Sequence, residues 1–435
     1  MWKEKRTNMR TLLKNGRILD PKNNIDKIGD ILIENDKIVK ASDKIEEDAD
    51  EVIDATGKYV MPGLIDLHVH FRDPGLTYKE TIKTGCEAAI NGGFTSVFAM
   101  PNTKPVCDNA EIVRYVQEEG EKYGINVYQV GSITKGMKGE ELSDIDGMVK
   151  AGCIALSEDG KSVMNSAVYR KAMKKAVELN IPILAHCEDI NLVEGGVMNL
   201  DENSMRLGMK GISNAVEDII VARDILLAKE TGATLHLCHC STEDSVKMVE
   251  AAKAEGVKVT AEVCPHHFTL TSDDIKKDDA NFKMNPPLRT KNDVEALKNG
   301  LHNNIMDVIS TDHAPHSKEE KEKSIKDAPF GIVGLETSVA LTYTYLVKTG
   351  ILTPLQMAEK MSYNPARVAG LNVGHLSVGA VADIVVIDPE KEYTIDTKDF
   401  KSMGRNTPFN GWKVFGEVVL TVAKGKILKN TGETK

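Results

Sequence analysis

The sequence contains no apolar run near the roughly 18 residues that a membrane-spanning helix needs, no excess of basic charge, no internal repeat and no low-complexity tract. These absences exclude an integral membrane protein and a repeat array. The net charge of -10 at pH 7 argues against a nucleic-acid or anionic-membrane partner, because such surfaces call for clustered Lys and Arg. A small-molecule ligand is the expectation that remains. The seven cysteines are an odd number without disulfide-like spacing, and Cys238-His239-Cys240 is too tight for a zinc ribbon, so they read as reduced thiols, mostly small buried residues. The start, Met1 to Met9, lacks the apolar segment of a signal peptide, so the expected location is cytoplasmic. Met9 precedes the first strand pattern as Met1 does, and the leading eight residues read as a disordered extension.

With 435 residues, 41% hydrophobic and 28% charged, the chain is long enough for one large domain and a smaller one. From about residue 60, short apolar runs alternate with amphipathic stretches such as Ala167 to Leu179 and Ala215 to Lys229. Eight runs read as strands: Leu64 to His70, Thr95 to Met100, Asn126 to Gly131, Cys153 to Ser157, Pro182 to Cys187, Thr234 to His239, Lys258 to Val263 and Asp307 to Asp312. Eight strands with helices between them predict an α/β fold of the (β/α)8 barrel type, with an open doubly wound sheet as the alternative. The ends differ. Residues 11 to 60 and 382 to 427 read as short strands joined by turns, and predict one small β-sandwich built from both termini. The expected division is 1–60 and 368–435 for the sandwich and 61–367 for the barrel.

His68 and His70 close the first apolar run. In a strand, i and i+2 share a face, so the two imidazoles are predicted to point one way while Ile65, Leu67, Val69 and Phe71 point the other. A lone His-x-His is as often a satisfied core pair as a metal site. The later strand ends shift that balance, because chemistry on a barrel of this type sits at the C-terminal ends of the strands. There the sequence places Asp159 after strand four, His186 and His239 at the ends of strands five and six, and Asp312 at the end of strand eight. Taken singly, each is more often structural. Together, four imidazoles and two carboxylates suit two divalent ions of the zinc type, with Asp159 positioned to bridge them. His236, three residues before His239, is predicted to face the other side of its strand. His266, His267, His302, His313 and His375 have no evident partner in the sequence, His313 reading as buried behind Asp312. The charged run from Ser317 to Asp327 reads as a solvated face in a position that would suit a mobile lid.

These segments closely resemble the dihydroorotases of the amidohydrolase superfamily, in their type I bacterial branch, over nearly the whole chain. The resemblance is carried by His-Val-His-Phe-Arg-Asp-Pro-Gly at 68–75, Ala-Met-Pro-Asn-Thr at 99–103, Ser-Glu-Asp-Gly at 157–160, Ala-His-Cys-Glu at 185–188, His-Leu-Cys-His-Cys-Ser-Thr at 236–242, Met-Asn-Pro-Pro-Leu-Arg at 284–289, Ser-Thr-Asp-His-Ala-Pro-His at 310–316 and Ala-Pro-Phe-Gly-Ile-Val-Gly-Leu-Glu at 328–336. It implies a Zn2+-dependent, reversible hydrolysis of L-dihydroorotate to N-carbamoyl-L-aspartate, a step of pyrimidine synthesis. Two ions per subunit are implied, other divalent metals being compatible, with Asp312 as proton shuttle. It further implies that Arg72, Asn102 and His316 hold the substrate carboxylate, that Asn285, Phe330 and Gly331 line the ring, and that His70 contacts substrate as well as metal. Hydantoinases and allantoinases of the same superfamily bridge their metals with a carboxylated lysine in the fourth strand. Here Cys153 to Ser157 has no lysine. This favours a dihydroorotase over the dihydropyrimidinase or hydantoinase alternative, and an inactive homologue serving as a binding partner is expected to have lost ligands that are all present. Assembly stays open between a homodimer and association with another enzyme of the pathway.

Overall fold

The computed structural model describes residues 9–432; the leading eight residues lie outside them. The central body is mixed α/β. Its parallel strands are Leu64–Val69, Phe94–Ala99, Asn126–Gln129 continued by Gly131–Ser132, Leu156–Ser157, Ile183–Ala185, Leu235–Leu237, Val259–Val263 and Val308–Ile309, at the positions the apolar runs predicted. Each pairs in parallel with the next. A parallel bridge between Val69 and His313, with His70 N donating to His313 O at 2.8 Å, joins the last strand back to the first. The pairing path is therefore closed, leaving no free edge in this body.

The crossovers are helices whose starts are written in local sequence. Thr81, Asn109, Asn165, Thr242 and Thr290 each accept a backbone N–H of the first turn through their side chains, satisfying donors that a helix start leaves unpaired. The helix Ser166–Leu179 ends at Asn180 in a left-handed conformation and Ala215–Thr231 ends likewise at Gly232. These stops turn the chain toward the next strand.

The terminal strands of both ends pair with one another, as expected, and do so within a single sheet. They form one hydrogen-bonded sheet in the order Lys426–Asn430, Lys413–Ala423, Ile384–Thr394, Tyr59–Pro62, Arg10–Asp20, Ile25–Glu34, Lys37–Ser42, with Glu51–Asp54 also beside Arg10–Asp20. The strand Arg10–Asp20 gives one edge to Ile25–Glu34 and shares the other between Glu51–Asp54 and Tyr59–Pro62. The far strand then bridges back, Lys37 to Val381. The layers are thus one continuous sheet folded on itself, around Leu13, Ile18, Ile31, Ile38, Ile384, Val386 and Leu420. Val385, Ile387 and Val418 of the same sheet belong to the core of the central body, so the two share a packed boundary.

Among the described residues no helix is long and apolar enough to cross a membrane.

Candidate active site

The first strand brings Asp66, His68 and His70 to one end of the central body, but not through simple alternation. Its register against the second strand shifts between Leu64 and Ile65 and again between Asp66 and Val69. Ile65 and Leu67 pack with Phe98, Val130 and Leu184, whereas Val69 and Phe71 join the helix-facing core. The predicted single oily face is therefore divided between two clusters. Arg72, His239 and Asp312 adopt positive φ of 62°, 34° and 49°, conformations costly for non-glycine residues that persist where surrounding packing enforces them.

An open cleft of about 200 Å³ lies over these ends. It is lined by His70, Arg72, Asn102, Asp159, His186, His239, Asn285, Asp312, His316, Phe330 and Gly331. Every residue predicted for the site reaches it except His68, which is buried beneath. The carboxylates organise the centre. Asp159 Oδ1 faces His68 Nε2 at 3.1 Å, His186 Nδ1 at 3.2 Å and His239 Nε2 at 3.5 Å, and its Oδ2 faces His70 Nε2 at 3.4 Å. Asp312 Oδ1 lies 3.1 Å from His70 Nε2 and 3.5 Å from His68 Nε2. Burial alone would raise both carboxyls, but the facing imidazoles, His68 foremost, hold both well below the usual carboxylate range. The same pairing pulls the imidazole of His186 up to about 10 against the effect of burial.

The outward nitrogens show what orients these imidazoles. His68 Nδ1 sits 3.0 Å from Glu262 Oε1, His70 Nδ1 2.9 Å from Asn102 Oδ1, and His186 Nε2 3.0 Å from Glu188 Oε2. Each oxygen accepts a rear N–H and so fixes its ring with the other nitrogen facing the carboxylates, the orientation that metal-ligating histidines share. His68 Nε2 and Asp159 Oδ1 are buried yet have no hydrogen-bond partner, a cost that proteins rarely leave uncompensated. Two of the four groups whose donor atoms lie within 4.8 Å of one another among the described residues are made only of these residues, His68–Asp159–His239 and His68–His70–Asp312. Nitrogen and carboxylate donors so arranged fit borderline divalent cations. Lys161 donates to Met137 O at 3.3 Å, which gives its ammonium a partner other than these carboxylates.

One corner of the cleft is cationic. Arg72 is buried and donates from Nε to Pro315 O at 3.2 Å, with Nη2 3.4 Å from His316 Nε2. His316 donates from Nε2 to Phe330 O at 2.7 Å and takes Lys79 Nζ on Nδ1 at 3.1 Å. Burial, then Arg72 and Lys79, keep this imidazole neutral by lowering it far below its usual value. Asn285 donates to Glu188 Oε1 at 2.9 Å, and Glu188 is also the partner of His186, so the two sides of the cleft are physically linked.

Three residues escaped sequence reasoning. Glu262 is fully buried and accepts from His68, from His236 Nε2 at 3.0 Å and from His239 N at 3.1 Å. A carboxylate inside the run Val259 to Val263 was its available signal. Glu188 was visible in the Ala-His-Cys-Glu motif but had no role assigned. Lys79 carried no signal. His236 corrects an expectation: instead of facing away it shares Glu262 with His68, because its strand ends at Leu237 and the chain turns before His239. His313 is buried as predicted, 3.3 Å from Glu80 Oε2, and His267 donates to Pro286 O.

A dihydro-orotase-like family profile matches residues 57–245. The chain is 49% identical to the dihydroorotase of Pelotomaculum thermopropionicum over 97% of this chain and 98% of that one, and 46% identical to that of Clostridioides difficile over 96% and 99%. Among solved structures it is similar to the L-hydantoinase (dihydropyrimidinase) of Arthrobacter aurescens, with 26% identity, a TM-score of 0.88 and coverage of 98% and 97%. It is also similar to the D-hydantoinase (dihydropyrimidinase) of a Thermus species, with 27% identity, a TM-score of 0.83 and coverage of 98% and 96%.

Proposed function

The chain belongs to the dihydroorotase family, and from that premise we propose that the cleft opens and closes the ring of L-dihydroorotate with two divalent cations, zinc by default, held at the strand ends. The closed path of eight parallel strands is read as a (β/α)8 barrel over residues 61–367, flanked by the terminal sheet. The observation that carries the proposal is the orientation of the rings: Glu262, Asn102 and Glu188 each hold one imidazole nitrogen from behind, so that the opposite nitrogens of His68, His70 and His186 converge on Asp159 and Asp312.

In this reading His68, His70 and Asp312 would hold one ion and His186 and His239 the other, with Asp159, which faces both sets, shared between them. When bound, such ions polarise an amide carbonyl and supply hydroxide from water near neutral pH. The rest falls to the chain. Arg72 grips the substrate carboxylate, which its planar fork matches, and His316 and the Asn102 amide complete that corner. Asn285, Phe330 and Gly331 flank the ring. Asp312 accepts the proton of the attacking water as the new C–O bond forms, then delivers it to the ring nitrogen as the C–N bond breaks. The reverse sequence closes the ring.

The test is an assay of purified protein on dihydroorotate, dihydrouracil, hydantoin and allantoin, with metal content measured on the same sample. Turnover of dihydroorotate that a chelator abolishes and zinc restores is expected. Full activity in metal-free protein would refute the mechanism, and equal turnover of dihydrouracil would favour a dihydropyrimidinase.

A further inference from the structure

The charged run Ser317 to Asp327 forms a short helix, Lys318–Lys321, in which Ser317 and Glu320 cap each other reciprocally. Lys318, Glu319, Glu322 and Lys323 are exposed, as a solvated face requires. Lys321 is not. It is 8% exposed, and its Nζ donates to Lys283 O at 3.2 Å, Pro329 O at 3.1 Å and Gly331 O at 3.0 Å. An ammonium has three N–H donors, and here all three go to backbone carbonyls. Those carbonyls belong to two segments of the cleft wall: Lys283 stands two residues before Asn285, and Pro329 and Gly331 flank Phe330. The segments also meet directly through Gly331 N on Lys283 O at 3.0 Å. Phe330 O in turn takes the His316 Nε2 proton.

Resting on the function proposed above, we propose that Lys321 is a positioning residue for substrate. Its ammonium clamps the two wall segments together and so places Asn285, Phe330 and His316 around the ring and carboxylate without touching either. The run is thereby anchored at Lys321, within what sequence read as a solvated face in a position that would suit a lid.

The clamp is sensitive to proton loss. Burial pushes Lys321 down to about 7, and the nearby Lys283 ammonium adds to this, while Asp279 and Glu320 oppose it; His316 also faces it, as a neutral ring. The neutral amine has two N–H groups for three carbonyls. The clamp is complete below about pH 7 and loses one tie as pH rises through that value.

Steady-state kinetics on dihydroorotate from about pH 6 to about pH 9, with wild type, Lys321→Met and Lys321→Arg matched for metal content and melting temperature, test this. In wild type, KM rises several-fold across the range while kcat changes less. Lys321→Met raises KM about tenfold already at the acid end, as expected when the groups that position substrate lose their support, and its KM no longer follows pH in this window. Lys321→Arg, which stays charged, keeps a low and flat KM. A Lys321→Met enzyme with wild-type KM, or one that loses kcat and metal with KM unchanged, overturns the clamp. If the variants do not fold, a wild-type KM that is flat in pH overturns it, and one that rises supports it. Wild type inert toward dihydroorotate refutes the proposed function instead, so the two failures are distinguishable.

Discussion

Glu262 offers the sharpest test of how the histidines are held. Its Oε1 accepts from His68 Nδ1 and His239 N, and its Oε2 from His236 Nε2. In Glu262→Gln the amide oxygen replaces Oε1 and keeps both of its donors. The amide nitrogen then faces His236 Nε2, and His236 can adapt by moving its proton to Nδ1, which has the Thr260 hydroxyl 2.8 Å away. The fold should survive, and what is lost is the negative charge behind His68. Removing such a support typically weakens metal binding by about 10- to 100-fold, or about 1.4–2.8 kcal/mol. Glu262→Ala is a different perturbation. It strands three buried donors at about 1–3 kcal/mol each, a sum comparable with the whole stability of a typical domain, so that variant should fail to accumulate as folded protein. The assay is competition for zinc against a chromogenic chelator, with activity followed as zinc is added back. The Gln variant should need 10- to 100-fold more free zinc for half activity and reach a near-normal maximum. Unchanged zinc affinity in a folded Gln variant would refute the claim that this carboxylate tunes His68.

Three further outcomes are expected. Asp312→Asn should retain metal in the Asp159 half of the site but lose turnover by about two to four powers of ten, the usual worth of acid–base catalysis; near-normal kcat would move the proton shuttle elsewhere. Asp159→Ala should lower metal content, and bicarbonate should not activate wild type because no lysine carbamate is needed; activation accompanied by a modified Lys161 would contradict Asp159 as the bridge. Arg72→Met should cut kcat/KM for dihydroorotate by about a hundredfold or more, since charge-assisted hydrogen bonds are each worth about 1.5–3 kcal/mol; a loss of only a few-fold would show that the guanidinium does not read the carboxylate.

The strands, the closing order of their pairings and the convergence of His68, His70, Asp159, His186, His239 and Asp312 were legible because each of these residues ends or directly follows an apolar run. What stayed hidden was non-local. Lys321 sits among Lys and Glu residues that are exposed, and its burial depends on carbonyls 38 and 10 positions away. Glu262 looked like any strand carboxylate until two other strands supplied its donors. Parity arguments failed where regular strand stops: His236 and His239 straddle such an end, and the bulged register of the first strand splits Ile65 and Leu67 from Val69 and Phe71. The terminal sheet was legible as strands but not as one sheet, since its continuity rests on Tyr59–Pro62 pairing with Arg10–Asp20 on one side and with Ile384–Thr394, more than 300 positions away, on the other.

Fold likeness and substrate choice are carried by different parts of the molecule. The solved hydantoinases match nearly the whole chain at 26% and 27% identity, so backbone similarity cannot separate an acidic ring from a neutral one. Charge in the cleft can. Arg72 is buried, and burial pulls its guanidinium down from its usual range, yet the partners beside its fork are a carbonyl and a His316 ring already committed to Phe330 and Lys79. Lys79 is offset by Glu320 at 2.9 Å, whereas Arg72 makes no comparable carboxylate contact among the described residues. Asp312, Asp159, Glu320 and Glu80 offset part of the cost of burying this cation from beyond contact distance, and a carboxylate in direct contact would add charge-assisted hydrogen bonds worth about 1.5–3 kcal/mol each. Under the proposed function the substrate carboxylate would supply that contact and a neutral dihydropyrimidine would not. The preference for dihydroorotate over dihydrouracil should therefore be carried largely by Arg72 and should shrink toward unity in Arg72→Met, while the metal content of the variant stays that of the wild type.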